Sequence, residues 1–296
     1  MSTPARLAGF AAVLAAVLLA GLGIGRAVGP VAGEPLDRHD AAPAADAPDD
    51  HGSADDAGHE EAAGTALSGL AVALDGYVLR PGATTLPAGG APFRFVVEGP
   101  DGRPVVDYDL THERELHLVV VRRDGTGFSH LHPERRPDGT WETELVLGPG
   151  AHRAYADFAP AGQEPRTLAV DLLVPGAVDP QPWPDPAQVA QVDDLEVRLD
   201  GSLEPGQPSS LSFTVTRGGA PVDVEPYLGA RGHLVALREG DLGYLHVHAE
   251  QDALDFTATA PTAGRYRLYL QVQVDGVVRT AELTALAGHQ HEEAHA

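Results

Sequence analysis

Two stretches of this chain are one unit written twice. Residues 117–134 read HLVVVRRDGTGFSHLHPE, residues 233–250 read HLVALREGDLGYLHVHAE, and the two align without a gap. The match lays His117 on His233, His130 on His246 and His132 on His248. Such self-similarity means a structural unit duplicated in tandem. It also sets three histidines at fixed spacing in each copy, and histidine is the commonest metal ligand.

The repeat runs beyond that motif. Leu74-Asp75-Gly76 answers Leu199-Asp200-Gly201, Arg103-Pro104-Val105 answers Ala220-Pro221-Val222, and Gly150 and Tyr155 answer Gly264 and Tyr269. Each copy is a series of short runs rich in β-branched and aromatic residues. PFRFVVEG, LHLVVVRRD, WETELVLG, RAYADFA and TLAVDLLV belong to the first, and LSFTVTRG, HLVALREG and RYRLYLQVQV to the second. Turn pairs such as Asp101-Gly102, Asp124-Gly125, Asp138-Gly139 and Pro149-Gly150 divide the runs, which is the pattern of a β-sandwich. The sequence therefore predicts an all-β chain of two tandem Ig-like or cupredoxin-like antiparallel β-sandwiches, over 66–176 and 192–288. The Pro-rich connector 177–191 should act as a semi-rigid spacer between them. The one hint of a helical turn in this part is AQVAQV, at 187–192.

The flanks have other compositions. From Leu7 to Gly25 the chain carries no charge, close to the length of about 20 residues that spans a bilayer. Residues 1–29 read as a signal anchor, an N-terminal transmembrane helix; a cleaved signal peptide is the alternative. Either way the globular part lies outside the cytoplasmic membrane, membrane-tethered or secreted. Residues 30–65 are Ala, Pro, Gly and acid and bury too little to offset their ordering entropy, so they form a disordered tether. The tail 289–296 is of the same kind. Both carry histidines: His39, His51 and His59 in the tether, His289, His291 and His295 in the tail.

Charge and sulfur narrow the chemistry. With 43 acidic against 20 basic residues the net charge is −23, so nucleic acid is not a partner and cations are the natural counterpart. There is no cysteine, which removes disulfides, zinc–thiolate sites and the blue-copper ligand set. Met1 is the only methionine, so the soft thioether sites that favour Cu(I) are missing too. A bound metal must be held by nitrogen and oxygen.

A hairpin with a two-residue turn at Asp124-Gly125 pairs His117 with His132 and Val119 with His130. Directly opposed residues share a face, as do positions two apart on a strand, so His117, His130 and His132 converge on one side. His112 offers a fourth nitrogen, and Glu113, Glu115 and Glu134 offer oxygen. In the second copy a turn at Gly240-Asp241 pairs His233 with His248 and Val235 with His246, and Leu228 stands where His112 falls. Three imidazoles on one face make a ligand set with an open position. The competing reading is structural: Val119, Val121 and Phe128 mark a partly buried face, where a neutral histidine simply needs a hydrogen-bond partner.

The stretch from Thr111 to Glu134, THERELHLVVVRRDGTGFSHLHPE, resembles a motif of bacterial, often actinobacterial, membrane-anchored or secreted tandem β-sandwich proteins. In these, His-Glu-Lys-x-x-His-Leu precedes a hydrophobic strand, an Arg-Asp turn and Phe-x-His-x-His-Pro. His112, Glu113, His117, Phe128, His130, His132 and Pro133 sit on the motif. Arg114 replaces the usual Lys, Leu116 a frequent Met, and Ala249 the Pro of the second copy. The resemblance implies an extracytoplasmic sandwich protein associated with copper or other heavy metals.

These observations point to capture or buffering of Cu(II) or Zn(II) by His112, His117, His130 and His132, with a second set at His233, His246 and His248. A membrane metal transporter or another envelope protein would receive the ion. The alternative is a non-catalytic interaction module of the cell envelope whose histidines are structural. An enzyme is not expected: the chain has no nucleophile motif, no Gly-rich phosphate loop and no HExxH helix, since its one HExxH match, HEEAH at 291–295, falls in the tail.

Overall fold

The computed structural model describes residues 68–245, 247–249 and 253–288. The expected anchor, the acidic tether, His246 and the His-rich tail lie outside the described residues.

In the first copy the strands are β1 (Ala73–Leu74), β2 (Tyr77–Pro81), β3 (Gly89–Glu98), β4 (Tyr108–Asp109), β5 (Leu116–Arg122), β6 (Ser129–Leu131), β7 (Glu134–Arg135), β8 (Thr140–Leu147), β9 (Gly150–Pro160) and β10 (Arg166–Val174). One sheet runs β1-β2-β3-β8-β7; the other runs β10-β9-β5-β6, with β4 on β9. The second copy repeats the plan with β11 (Val189–Val192), β12 (Leu195–Asp200), β13 (Pro208–Arg217), β14 (Ala220–Pro221), β15 (Gly232–Arg238), β16 (Tyr244–Leu245), β17 (Val247–Ala249), β18 (Asp255–Thr259), β19 (Gly264–Val274) and β20 (Val277–Ala287). Its sheets run β11-β12-β13-β18-β17, with β14 on β13, and β16-β15-β19-β20. The main ladders are antiparallel. AQVAQV, where a helical turn was expected, supplies the edge strand β11.

Alternation along the strands fills two sandwich cores. Phe93, Phe95 and Val97 of β3 meet Trp141 and Leu145 of β8 and Leu116, Leu118 and Val120 of β5. Val197, Phe213, Phe256, Leu268 and Leu270 do the same in the second copy. Each such side chain contributes roughly 1.5–3 kcal/mol by leaving water.

The other face of β5 is buried as well, which is why HLVVV reads as a continuous apolar run. Val119 and Val121 join Tyr155 and Ala169 in a third core, opposite Val235, Leu237, Leu242 and Tyr269 of the second copy. The two sandwiches thus stack sheet against sheet, and the repeat makes the contacts reciprocal. Phe128 stacks on Tyr269 with ring centres 4.2 Å apart, while Tyr244, the counterpart of Phe128, lies 5.3 Å from Tyr155. The Tyr155 hydroxyl donates to the carbonyl of Leu242 at 2.6 Å, and that of Tyr269 to Gly125 at 2.6 Å. Burial is the first cause that pushes both phenols upward, so both stay neutral donors.

Two expectations are corrected here. The Pro-rich connector does not space the copies apart; it straps across their junction. The Gln181 N–H donates to Asp124, Arg122 reaches the carbonyl of Asp179, and Trp183 packs on the third core. The second correction concerns the return strand. In the first copy it leaves β5 after β6, passes His132-Pro133 and joins the opposite sheet as β7 against β8. Proline has no N–H to continue the ladder. In the second copy Leu245 pairs with Ala236 as expected, but Val247–Ala249 already runs on β18, with His248 opposite Thr257 rather than His233. Ala249, standing where the first copy has Pro133, pairs with Phe256.

Candidate metal centre

Backbone geometry alone brings the first-copy histidines together. β5 and β6 pair Val119 with His130 and Val120 with Ser129, the register read from the sequence. The turn that sets it is not the two-residue one expected. The carbonyl of Arg122 accepts from the Gly125 N–H at 2.8 Å, and the Arg122 N–H donates to Thr126 at 2.9 Å, enclosing three residues. Gly125 at φ +76° closes the loop, with the Trp183 ring 3.2 Å from where a Cβ would stand. An extra residue around Gly127, at φ +66°, restores the register.

His117 and His130 therefore sit on the face turned away from their own core, and His132 follows just past the end of β6. The three ring centres form a nearly equilateral triangle: 5.1 Å for His117–His130 and 5.0 Å for each of the other two pairs. One ligating nitrogen from each lies within 4.8 Å of the others. Three imidazoles on one tetrahedral ion, at about 2.0–2.1 Å per bond, hold their ring centres roughly 5 Å apart. The triangle already has that size.

Hydrogen bonds then decide which nitrogens face inward. His117 Nε2 donates to the carbonyl of Thr111 at 2.8 Å. His130 Nδ1 donates to Oε1 of Gln271, on β19 of the second sandwich, at 2.7 Å. The Gln271 amide is oriented by donating its own N–H to Thr280 Oγ1 at 3.2 Å. Each neutral imidazole has one proton, and both protons are spent on these outer acceptors. Yet His117 Nδ1 and His130 Nε2 face each other at 2.9 Å. Three contacts in a row need three protons, and two neutral rings supply two. With the Gln271 oxygen turned to His130, a cation between the inner nitrogens, a third proton or a metal ion, completes the set. Burial is the first cause lowering the pKa of His130, to about 3, with neighbouring imidazoles adding to it. Burial likewise lowers His132 to about 4 and holds His117 below its ordinary value. A third proton is therefore disfavoured near neutral pH, and the pair suits a metal. His132 Nε2 adds a buried nitrogen with no hydrogen-bond partner among the described residues.

His233 repeats the local design of His117. Its Nε2 donates to the carbonyl of Tyr227 at 2.8 Å, and burial lowers its pKa to about 4. Its ring centre is 6.1 Å from His130 and 6.5 Å from His117, outside the triangle. His112 lies closer to His233, at 4.9 Å, than to His117, at 6.1 Å. The reason is the turn at Thr111–Arg114, where His112 and Glu113 both take positive φ, 47° and 62°, as in a type I′ hairpin. Asn-Gly usually occupies such a turn; here two strained residues project His112 across the junction. The matching turn of the second copy uses Leu228 and Gly229. A cavity of about 360 Å³ between the sandwiches is lined by His112, His117, His130 and His233, together with Asp157.

Gln271 was not singled out from the sequence. The repeat held a signal for it: two residues beyond the matched Tyr155 and Tyr269, Asp157 and Gln271 are polar residues inside long apolar strands. Asp157 pairs with His117 in the ladder as Gln271 pairs with His233, and each is hydrogen-bonded to a threonine of the next strand.

Stacked, internally repeated antiparallel β-sandwiches with a histidine cluster at their junction define the class. Residues 69–176 and 190–288 match the family described as Domain of unknown function (DUF8832), and the chain belongs to that family. No curated protein matches the chain. Among solved structures it is similar to the Escherichia coli adhesin FdeC, at 14% identity over 76% of this chain and 66% of that one, with a TM-score of 0.24. It is also similar to the Yersinia pseudotuberculosis adhesin InvE, at 11% identity over 73% and 64%, with a TM-score of 0.22. A third is the N-terminal Ig1-2 module of the Drosophila receptor protein tyrosine phosphatase DLAR, at 8% identity over 72% and 99%, with a TM-score of 0.20. The chain thus spans less than two thirds of the length of the two adhesin chains.

Proposed function

We propose that this is a non-catalytic, extracytoplasmic metal-binding protein that captures or buffers Cu(II) or Zn(II), with His117, His130 and His132 as ligands. The observation that carries the reading is the missing proton between His117 Nδ1 and His130 Nε2. Two neutral rings, His117 buried and His130 half-buried, have their inner nitrogens bare because their outer nitrogens are held by acceptors. Outer hydrogen bonds of that kind accompany metal-ligating histidines almost universally. The absence of thiols leaves an all-nitrogen site, which suits either ion.

The test is titration of the full chain with Zn(II) and, separately, Cu(II) against a competing chelator. The control is the His130→Ala/His132→Ala variant, which reports what the terminal histidines bind on their own. One tight ion per chain, absent from the variant, is the expected result. Equal stoichiometry in both proteins would refute the reading.

A second reading has its own observation. The histidines lie beside the junction of the two sandwiches, where His117 is only 5% exposed and hydrogen-bonded to its own hairpin turn. That fits an envelope interaction module in which the cluster serves packing. It predicts a melting temperature lowered by His117→Asn and indifferent to metal in every variant.

A further inference from the structure

We infer that the metal site is built across both sandwiches, and that Gln271 of the second is the positioning residue of His130 in the first. The inference rests on the metal-binding reading above and adds to it where the site is assembled. Among the first-copy ligands, His117 has its outer acceptor in its own sandwich, the carbonyl of Thr111. His130 does not: the acceptor of its Nδ1–H is Gln271 Oε1, 141 residues away along the chain.

That contact fixes which nitrogen of His130 is bare. With Oε1 against Nδ1, the proton must sit on Nδ1 and the lone pair on Nε2, aimed at His117 Nδ1. In the opposite rotamer the Gln271 N–H would donate to Nδ1, the Thr280 hydroxyl would donate to Oε1, and the His130 proton would sit on Nε2; the rotamer in place is the one that bares Nε2. The side chain is anchored on β19, the central strand of its sheet, between β15 and β20. Its distance to His130 is set by the third core and by the two tyrosine hydroxyls that lock the sandwiches together. A first sandwich alone would hold His130 with its tautomer and ring angle unset. The docked pair holds it ready, so metal affinity becomes a property of the junction.

The repeat makes the assignment more pointed. At the position matching Gln271 the first sandwich carries Asp157, which accepts from Thr167 Oγ1 at 2.9 Å. The two copies thus present different acceptors, an amide and a carboxylate, at matching places on the junction.

The experiment uses the full chain. Zn(II) affinity is measured by competition in the wild type and in Gln271→Leu, Gln271→Glu and Thr280→Val, with the His130→Ala/His132→Ala protein as baseline. Metal-free melting temperatures are taken in parallel. Gln271→Leu should weaken Zn(II) binding about 10–100-fold, the usual effect of deleting an outer partner. Gln271→Glu, which keeps the acceptor and adds charge, should bind at least as tightly as the wild type, and Thr280→Val should weaken binding less than Gln271→Leu does. Wild-type affinity in Gln271→Leu would overturn the inference while leaving the metal site standing. So would equal weakening by Leu and Glu that tracks a fall in metal-free melting temperature, since that marks a structural role. If the wild type holds no ion beyond the baseline, the metal reading and this inference fall together.

Discussion

Acidifying the metal-free protein tests the buried histidines directly. An unfolded histidine titrates near pH 6.5, whereas His130 titrates at about 3 and His233 at about 4 in the fold, burial being the first cause in each case. Between about pH 6.5 and 4 the unfolded chain binds these protons and the native state does not. Stability is therefore complete above about pH 6.5 and falls as pH drops below it. One excluded proton is worth about 1.4 kcal/mol per pH unit, so each of the two histidines removes about 2 kcal/mol by pH 5. These two alone amount to about 4 kcal/mol, a large part of the roughly 5–15 kcal/mol that holds most domains folded, and His132 and His117, also held low by burial, add to the fall. Carboxylates titrate near pH 4 and contribute little above pH 5. The measurement is urea unfolding in chelator at pH 7.5, 6 and 5, followed by the fluorescence of Trp141 and Trp183. The unfolding free energy should fall steeply across that range, and His130→Gln should remove no more than about a third of the slope, since His132, His233 and His117 exclude protons as well. A flat profile from pH 7.5 to 5 would refute the claim that neutral, proton-excluding histidines occupy the junction.

Further expectations concern the junction and its strained turn. Tyr269→Phe leaves the carbonyl of Gly125 without its donor and should cost about 1–2 kcal/mol in chemical denaturation; Tyr155→Phe should cost a similar amount through Leu242. Unchanged stability in both would mean the hydroxyls do not lock the sandwiches. Glu113→Gly should stabilise the metal-free protein by about 0.5–1 kcal/mol, because Glu113 sits at φ 62° where the second copy has Gly229. A lowered melting temperature would show that the Glu113 side chain contributes more than its strain costs.

Much of this was legible in the sequence because it follows from local rules. Period-two alternation and Asp-Gly turns gave the sheets, and the gap-free repeat gave two copies. The ladder from Val120 to Leu118 has the register read from the spacing, even though the turn is longer than assumed: the surplus residue around Gly127 cancels the difference. Long-range choices were harder to see. The run HLVVV announced a strand covered on both faces without saying what covers the second one. The early crossing at Val247 depends on two sheets competing for the same strand. Gln271 meets His130 only where the two sandwiches dock. No local pattern encodes that contact, although the matched Asp157 marked its place.

The reciprocal tyrosines carry one more consequence. Each sandwich inserts a phenol into the turn of the other, as the halves of a twofold-symmetric homodimer would. In a homodimer every residue of the contact occurs twice, so neither half could change without its mirror image changing too. Joining the halves in one polypeptide lifts that constraint and keeps them together at any dilution. The chain has used the freedom at the seam: His112 faces a partner that has Leu228, Glu113 one that has Gly229, and Gln271 answers Asp157. Fusion leaves one half free to carry the histidine triangle while the other braces it through Gln271.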